Sequence, residues 1–267
     1  MDTGASLRVI LAACLEVRGA VVYATAAVLL VIVPVLTFIF TAQHFPHEHI
    51  LHIALGTSLA SILFTALSSV RAHHAHGAVN WPVVRGITPG IVAGTLLGTV
   101  LAAQLSTSFL KGFFVLFVYY VAAQMLLNIK PKPARQLPGM GGLFAAGSVI
   151  GGVSSLVGIG GGTLSVPFMT WCNIKMHQAI GTSAAIGFPI AAAGALGYAV
   201  NGLGAAALPE YSLGFIYLPA LAGLVFASVL SAPFGARMAH RLPVPQLKKV
   251  FAALLIALGT RMLVSLF

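Results

Sequence analysis

Carboxylates are what this chain lacks most. Among 267 residues there are four, Asp2, Glu16, Glu48 and Glu210, and charged residues of both signs make up 7% of the sequence, against about 25% in a soluble domain. So little charge excludes an ordinary water-soluble globule. So few acids leave no carboxylate pair for acid–base catalysis and little to line a cation path. The sequence holds no His-Glu-x-x-His, no Gly-x-Ser-x-Gly and no aspartate dyad, the patterns that carry hydrolytic chemistry. Cysteine is nearly absent too. Cys14 and Cys172 both fall in apolar segments, which neither needs nor suggests a disulfide framework. Cys172, beside Trp171, is the one thiol near the glycine-rich stretch discussed below, and a buried structural role outweighs a reactive one. The fourteen Lys and Arg give a net charge of +10. They stand singly between apolar runs, with no aromatics interleaved on a polar face, so nucleic acid is not the expected partner. Neither an enzyme nor a cofactor is expected.

What is there is apolar: 59% of the chain. A spanning helix needs about 20 apolar residues, and the stretches 19–40, 50–70, 83–103, 109–129, 178–200, 213–236 and 247–267 qualify. Two more, 6–17 and 140–174, have the wrong length for one simple span. Arg8 and the apolar residues after it imitate a signal peptide, but Glu16 and Arg18 stand where a small-residue cleavage site belongs. That segment is expected to be part of the fold.

The chain repeats itself. His52-x-x-x-Gly56-Thr57-Ser58 returns as His177-x-x-x-Gly181-Thr182-Ser183 at an offset of 125 residues. Upstream, Val33-Pro34 matches Val166-Pro167 at 133; downstream, Pro82, Gly86, Gly98, Leu110 and Lys111 match Pro219, Gly223, Gly235, Leu247 and Lys248 at 137. The drift in offset corresponds to one longer loop in each half. The organisation read from this is a first membrane repeat over 1–129, a basic linker over 130–138 and a second repeat over 139–267.

Orientation follows from the basic residues, which favour the cytoplasmic side. They cluster in the linker (Lys130, Lys132, Arg135), around 71–85 (Arg71, Arg85) and in 237–249 (Arg237, Arg241, Lys248, Lys249), while 41–49 and 201–211 hold none. All three clusters share one side only if 140–174 enters the membrane and returns. Each half then crosses an odd number of times, and consecutive halves are inverted. The expected fold is an all-α polytopic membrane protein of two inverted-topology repeats, each with a short broken or re-entrant helix pair plus three spanning helices. Such repeats place a substrate site between the halves near mid-membrane. The expected location is a cell membrane of the bacterial inner-membrane type, with the 130–138 linker in the cytoplasm.

Glycines interrupt 140–174 at Gly151-Gly152-Val153-Ser154-Ser155 and again at Gly158-Ile159-Gly160-Gly161-Gly162-Thr163. Irregular backbone at membrane depth must be buried in protein or line a polar cavity. A helix restarting at about Thr163 would turn free N–H groups and a positive dipole end toward a ligand, which favours an anion. Gly158, Gly160, Gly161, Gly162 and Thr163 are therefore candidate substrate-binding residues. Gly56, Thr57, Ser58, Gly181, Thr182 and Ser183 join them as hydroxyl donors at a second short helix start. Gly90, Gly94 and Gly98, with counterparts Ala227, Ser231 and Gly235, read instead as a small-residue packing face.

The glycine run followed by Val166-Pro167 and the His177 to Ser183 motif, with its partial copy at Pro34 and His52 to Ser58, resembles the TauE/SafE family of sulfite exporter-like membrane proteins over essentially the whole chain. The resemblance implies a secondary transporter, probable export of small sulfur-containing anions such as sulfite, sulfoacetate or thiosulfate, and a site between the repeats. Members commonly carry the glycine motif in both halves, but here the first half has Thr25-Ala26-Ala27-Val28-Leu29 at that place. Opposite Gly151-Gly152 it has Arg18-Gly19. Arg18 is a candidate fixed charge for the anion, because a charge at membrane depth marks function; lying near an interface or pairing with Glu16 is the competing reading.

Histidine supplies the alternative function. His44, His47, His49 and His52 cluster around Glu48, and His73, His74 and His76 follow Arg71. Imidazole suits nickel, cobalt or zinc, so a divalent transition-metal transporter is the competing class. Against it stand the scarce carboxylates and the placement of the two loops on opposite sides of the membrane; no metal site is assigned. His52 and His177 stand one turn before a Gly-Thr-Ser, where each could cap that helix start or titrate with a transported anion. Coupling, if protonic, falls to these two or to the anion itself. The expected partners are a small anionic substrate and the lipid bilayer, with a homodimer as an allowed assembly.

Overall fold

The computed structural model describes residues 30–127, 135–228 and 244–265. Helix α1 (Leu30–Ala42) leads into α2 (Ile50–Ala75), α3 (Trp81–Gln104) and α4 (Thr107–Leu126). Beyond the linker come α5 (Met140–Val157), the short α6 (Gly162–Trp171) and α7 (Met176–Gly202). A minimal hairpin pairs β1 (Ser212–Leu213) with β2 (Ile216–Tyr217), followed by α8 (Leu218–Ser228) and α9 (Val244–Val264). Helices α2, α3, α4, α5 and α7 are each long and apolar enough to cross a membrane. The fold is that of an all-α polytopic membrane protein, with the hairpin as its one departure. The stretch 213–236 is accordingly not one span from its start: residues 213–217 belong to the hairpin, and helix begins at Leu218. Residues 6–17, Glu16, Arg18 and the segment Thr25–Leu29 lie outside the described residues, as do Ser231 and Gly235.

Local chemistry explains the boundaries. Asn80 caps α3 by accepting from the Val83 amide, with Pro82 in the first turn where no donor is needed. Ser106 caps α4 at the Phe109 amide. Gly158 ends α5 in the left-handed conformation, its amide and that of Ile159 both donating to the Ser154 carbonyl. Large apolar side chains such as Leu97, Leu116, Leu196 and Val200 stay exposed along the outside of the bundle, as a surface solvated by lipid requires.

Small residues let the helices touch backbone to backbone. A methyl group at Gly90 would overlap the Phe144 carbonyl, and one at Gly94 the Ser148 carbonyl; from the other helix, Gly147 and Gly151 approach the Ile87 and Ile91 carbonyls equally closely. These pairs climb together in number, so α3 and α5 run parallel. Gly151-Gly152-Val153-Ser154-Ser155 is therefore not a break. It lies within α5 and forms half of this interface, and only 158–161 interrupts the helix.

Further contacts give the directions of α2, α6 and α7. Asn80 meets Thr182 and Thr99 meets Asn201, so α3 and α7 are parallel. Gly56 approaches Tyr198, and Gly194 approaches Leu59, so α2 opposes α7. Ser165 meets Ser183 and Gly187 lies against Gly160, so α6 opposes α7 and hence α5. The segment after the linker thus enters and returns: the Arg135 amide donates to the Trp171 carbonyl at 3.3 Å, and its guanidinium lies 5.0 Å over the Trp171 ring. Arg71, Arg85, Arg135 and Lys175 consequently share one end of the bundle. At the other end are the 43–49 loop, the hairpin and the start of α4, where the Thr107 hydroxyl donates to the Glu48 carbonyl.

Gly94→Leu is expected to cost about 3 kcal/mol, the upper end for overpacking, because the obstacle is the Ser148 backbone. Thermal unfolding of the purified protein should show a lowered midpoint. Gly112→Ala, where nothing lies within 4 Å, should leave the midpoint unchanged.

Candidate functional site

The break in the second half turns on two glycines. Gly158 has φ 71° and Gly161 φ 74°, a region in which a side chain costs about 1–2 kcal/mol. Helix α6 restarts at Gly162, one residue before Thr163, with Gly161 as its N-cap and no capping side chain. The first amides of a helix have no partner within it. Among the described residues, those of Gly160, Gly161, Gly162 and Thr163 donate to nothing. The carbonyl side is met in part: Leu164 and Ser165 donate to the Gly161 carbonyl, and the Ser58 hydroxyl donates to that of Gly158 at 2.9 Å, while among the described residues nothing donates to the carbonyls of Ile159 and Gly160.

Two hydroxyls face these amides. Ser154 Oγ is fully buried without a hydrogen-bond partner and would stand 3.5 Å from a Cβ at Gly161. Ser183 Oγ accepts from Ser165 at 2.8 Å, which leaves its own proton to donate, and it would stand 3.4 Å from a Cβ at Gly162. Among the described residues the break thus carries four unpartnered amides, with two hydroxyls beside its glycines. Such a set solvates an anion through donors and a helix end. The sequence reading named Ser183 and the glycines; it passed over Ser154, whose signal is its place one turn before Gly158 on α5.

The two Gly-Thr-Ser motifs are not short helix starts. They sit in the second turn of long helices, Gly56-Thr57-Ser58 on α2 and Gly181-Thr182-Ser183 on α7. Each motif divides its labour. The serine reaches the break; the threonine does not, because its oxygen accepts a backbone amide from the opposite half. Thr57 takes the Tyr217 amide at 3.0 Å and Thr182 the Asn80 amide at 2.9 Å. The glycine allows that approach: Gly56 packs on the Phe215 carbonyl and Gly181 on that of Ala78. These contacts are reciprocal, and Ala78 and Asn80 stand 137 residues before Phe215 and Tyr217, the same offset that relates Pro82 to Pro219. A third pair follows the upstream offset, since Thr37 donates to the Val33 carbonyl and Thr170 to that of Val166.

His52 caps a helix other than its own. Its Nε2–H donates to the Ala102 carbonyl at the end of α3 at 2.9 Å, and the ring is buried against Phe215. His177 is half-buried in the first turn of α7. The His44–His52 and His73–His76 groups lie at opposite ends of α2, whose 26 residues span about 39 Å. Cys172 is buried beyond the end of α6, and burial pushes its thiol up against the opposing pull of Arg135. The thiolate is the reactive form, so this environment works against sulfur chemistry there. Arg18 falls outside the described residues.

Comparison with known proteins agrees with this architecture. The sulfite exporter TauE/SafE family profile matches residues 11–262. A probable membrane transporter protein of Haemophilus influenzae is 37% identical over 238 residues, covering 87% of this chain and 89% of its own length. A probable membrane transporter protein of Methanocaldococcus jannaschii is 22% identical over 240 residues, covering 87% and 86%. No solved structure matches. The chain therefore belongs to the sulfite exporter TauE/SafE family and is a multi-pass membrane transporter.

Proposed function

We propose that this transporter exports small sulfur-containing anions such as sulfite, sulfoacetate or thiosulfate, and that the anion binds at the restart of α6. The observation that carries the reading is the run of four amides, Gly160 to Thr163, which with the Ser154 hydroxyl beside Gly161 has no hydrogen-bond partner among the described residues. Amide N–H groups carry no lone pair to repel an oxyanion, and among the described residues no group of His, Cys, Asp or Glu able to hold a transition-metal ion is found. The full set proposed to contact or frame the anion is Gly158, Gly160, Gly161, Gly162, Thr163, Ser58 and Ser183, joined by Ser154. Gly56, Thr57, Gly181, Thr182, His52 and His177 act at one remove, by holding the helices that carry them. Arg18 is proposed to add a fixed charge from the first half.

The reciprocal Thr57 and Thr182 contacts support two inverted halves, because equivalent residues on opposed helices make the same bond to the other half at opposite ends of the bundle. Each bond is a latch between halves. Release of one with the other closed exposes the site to one side at a time, the requirement of alternating access. The end carrying Arg71, Arg85, Arg135 and Lys175 is assigned to the cytoplasm. An inside-negative potential then favours anion exit by about 2.3 kcal/mol per charge per 100 mV, so export needs no coupling carboxylate.

In proteoliposomes, sulfite, sulfoacetate or thiosulfate should exchange and nickel should not; nickel flux without anion flux would overturn the assignment. Ser154→Ala removes one donor to the anion and no bond within the protein. It should weaken apparent anion affinity about fivefold to tenfold with an unchanged unfolding midpoint, and an unchanged affinity would remove Ser154 from the site. Cys172→Ser should transport at the wild-type rate, since the thiol takes no part. On a cysteine-free background, Thr57→Val should raise labelling of Tyr217→Cys by an impermeant maleimide added at the hairpin end, and Thr182→Val that of Asn80→Cys at the basic end. Each lost latch is a bond of about 1 kcal/mol; labelling that ignores both would reject the paired latches.

A further inference from the structure

A groove of about 610 Å³ runs along the outside of the bundle between α2, α3 and α7, over the same turns of α7 that carry Ser183 and Gly187. Leu67 and Val70 form one wall, Phe188 and Leu196 another, and the floor follows α3 from Trp81 to Leu96. Its length along α3 is about 22 Å at 1.5 Å per residue, enough to pass through one leaflet of a hydrocarbon core about 30 Å thick. The lining offers nothing polar to a guest. Its one hydroxyl, Thr88, is spent on the Val84 carbonyl at 2.6 Å, and the Trp81 indole N–H donates to His74 Nδ1 at 3.2 Å. Such a groove takes hydrocarbon.

One end of it is charged. Arg71 directly follows Val70 and lies one turn beyond Leu67 on the same face of α2; Arg85 lies one turn beyond Trp81 and three residues before Thr88 on the lining face of α3. Both arginines are exposed. The two described carboxylates, Glu48 and Glu210, are in the loops at the opposite end, so among the described residues no acid is placed to neutralise them. Trp81, which lines the groove and packs edge-on against His74, is of the type that favours the headgroup level.

We propose that this groove binds an anionic phospholipid, one acyl chain lying along Leu67, Phe188 and Leu196 and the phosphate held between Arg71 and Arg85. A tail without a charge would ignore the arginines, and a soluble phosphate would ignore the groove; only a molecule with both uses the whole feature. Because the groove is walled by the same α2, α3 and α7 that the Thr57 and Thr182 contacts hold, a bound chain would also brace them.

The test uses delipidated full-length protein, titrated with phosphatidylglycerol or with phosphatidylcholine of the same acyl chains, reading bound lipid by native mass spectrometry. Phosphatidylglycerol should half-saturate at about 25-fold lower concentration, and Arg71→Gln with Arg85→Gln should abolish that preference, at roughly fivefold per arginine. Arg71→Lys with Arg85→Lys should keep it. Ala192→Trp, on the groove wall, should weaken both lipids. Glycerol phosphate alone should not compete. Equal binding of the two lipids by the wild type, a preference that survives the double glutamine variant, or full competition by glycerol phosphate would each overturn the proposal. So would a lipid-free homodimer that Ala192→Trp converts to monomer, since a second copy would then own the groove.

Discussion

A backbone amide or carbonyl in hydrocarbon has no water to turn to, and the centre of this protein is arranged around that constraint. Once α5 stops at Gly158, the loose groups of four residues need partners at membrane depth. The protein meets part of this need from within: Ser154 O receives Gly158 and Ile159, Gly161 O receives Leu164 and Ser165, and Ser58 reaches across from α2 to Gly158 O. Among the described residues the amides of Gly160 to Thr163 and the carbonyls of Ile159 and Gly160 have no partner. Groups left open in this way must be met by protein or line a polar cavity, which makes the break the most informative feature of the fold.

The same constraint shapes what surrounds the site. Without a hydrophobic force to join helices inside lipid, association rests on close packing and interhelical bonds. Glycine on α3 and α5 brings backbones into contact, and glycine on α2 and α7 lets a threonine reach a loop of the other half. These are weak bonds between rigid rods. A transporter needs rods that keep their shape and joints that yield, and the division between glycine-packed α3–α5 and threonine-latched α2–α7 provides both. Arg71, Arg85, Arg135 and Lys175 gather at one end of the bundle, where they orient the molecule.

Much of this was legible in the chain. Membrane class followed from the scarcity of charge, and the offsets of 125, 133 and 137 return as matched contacts in space. The decision that 140–174 enters and returns came from the sidedness of Lys and Arg alone, and the Arg135 to Trp171 contact agrees with it. Other readings failed for a shared reason. Gly151 to Ser155 looked like a break and is helix, while Gly-Thr-Ser looked like a helix start and is helix interior. In water, glycine and serine weaken a helix; between packed helices they are what allows one helix to meet another. Local composition cannot tell these two uses apart.

The sequence by itself determined the class, the number and length of most spans, the internal repetition and the end at which positive charge collects, because each depends on transfer of single segments into lipid. Only the tertiary structure decided which glycines turn the chain and which pack it, that His52 caps α3 and not α2, and that Ser154 stands unpartnered over the α6 amides. Those outcomes depend on which backbone lies opposite a residue, and residues far apart in the chain supply that backbone.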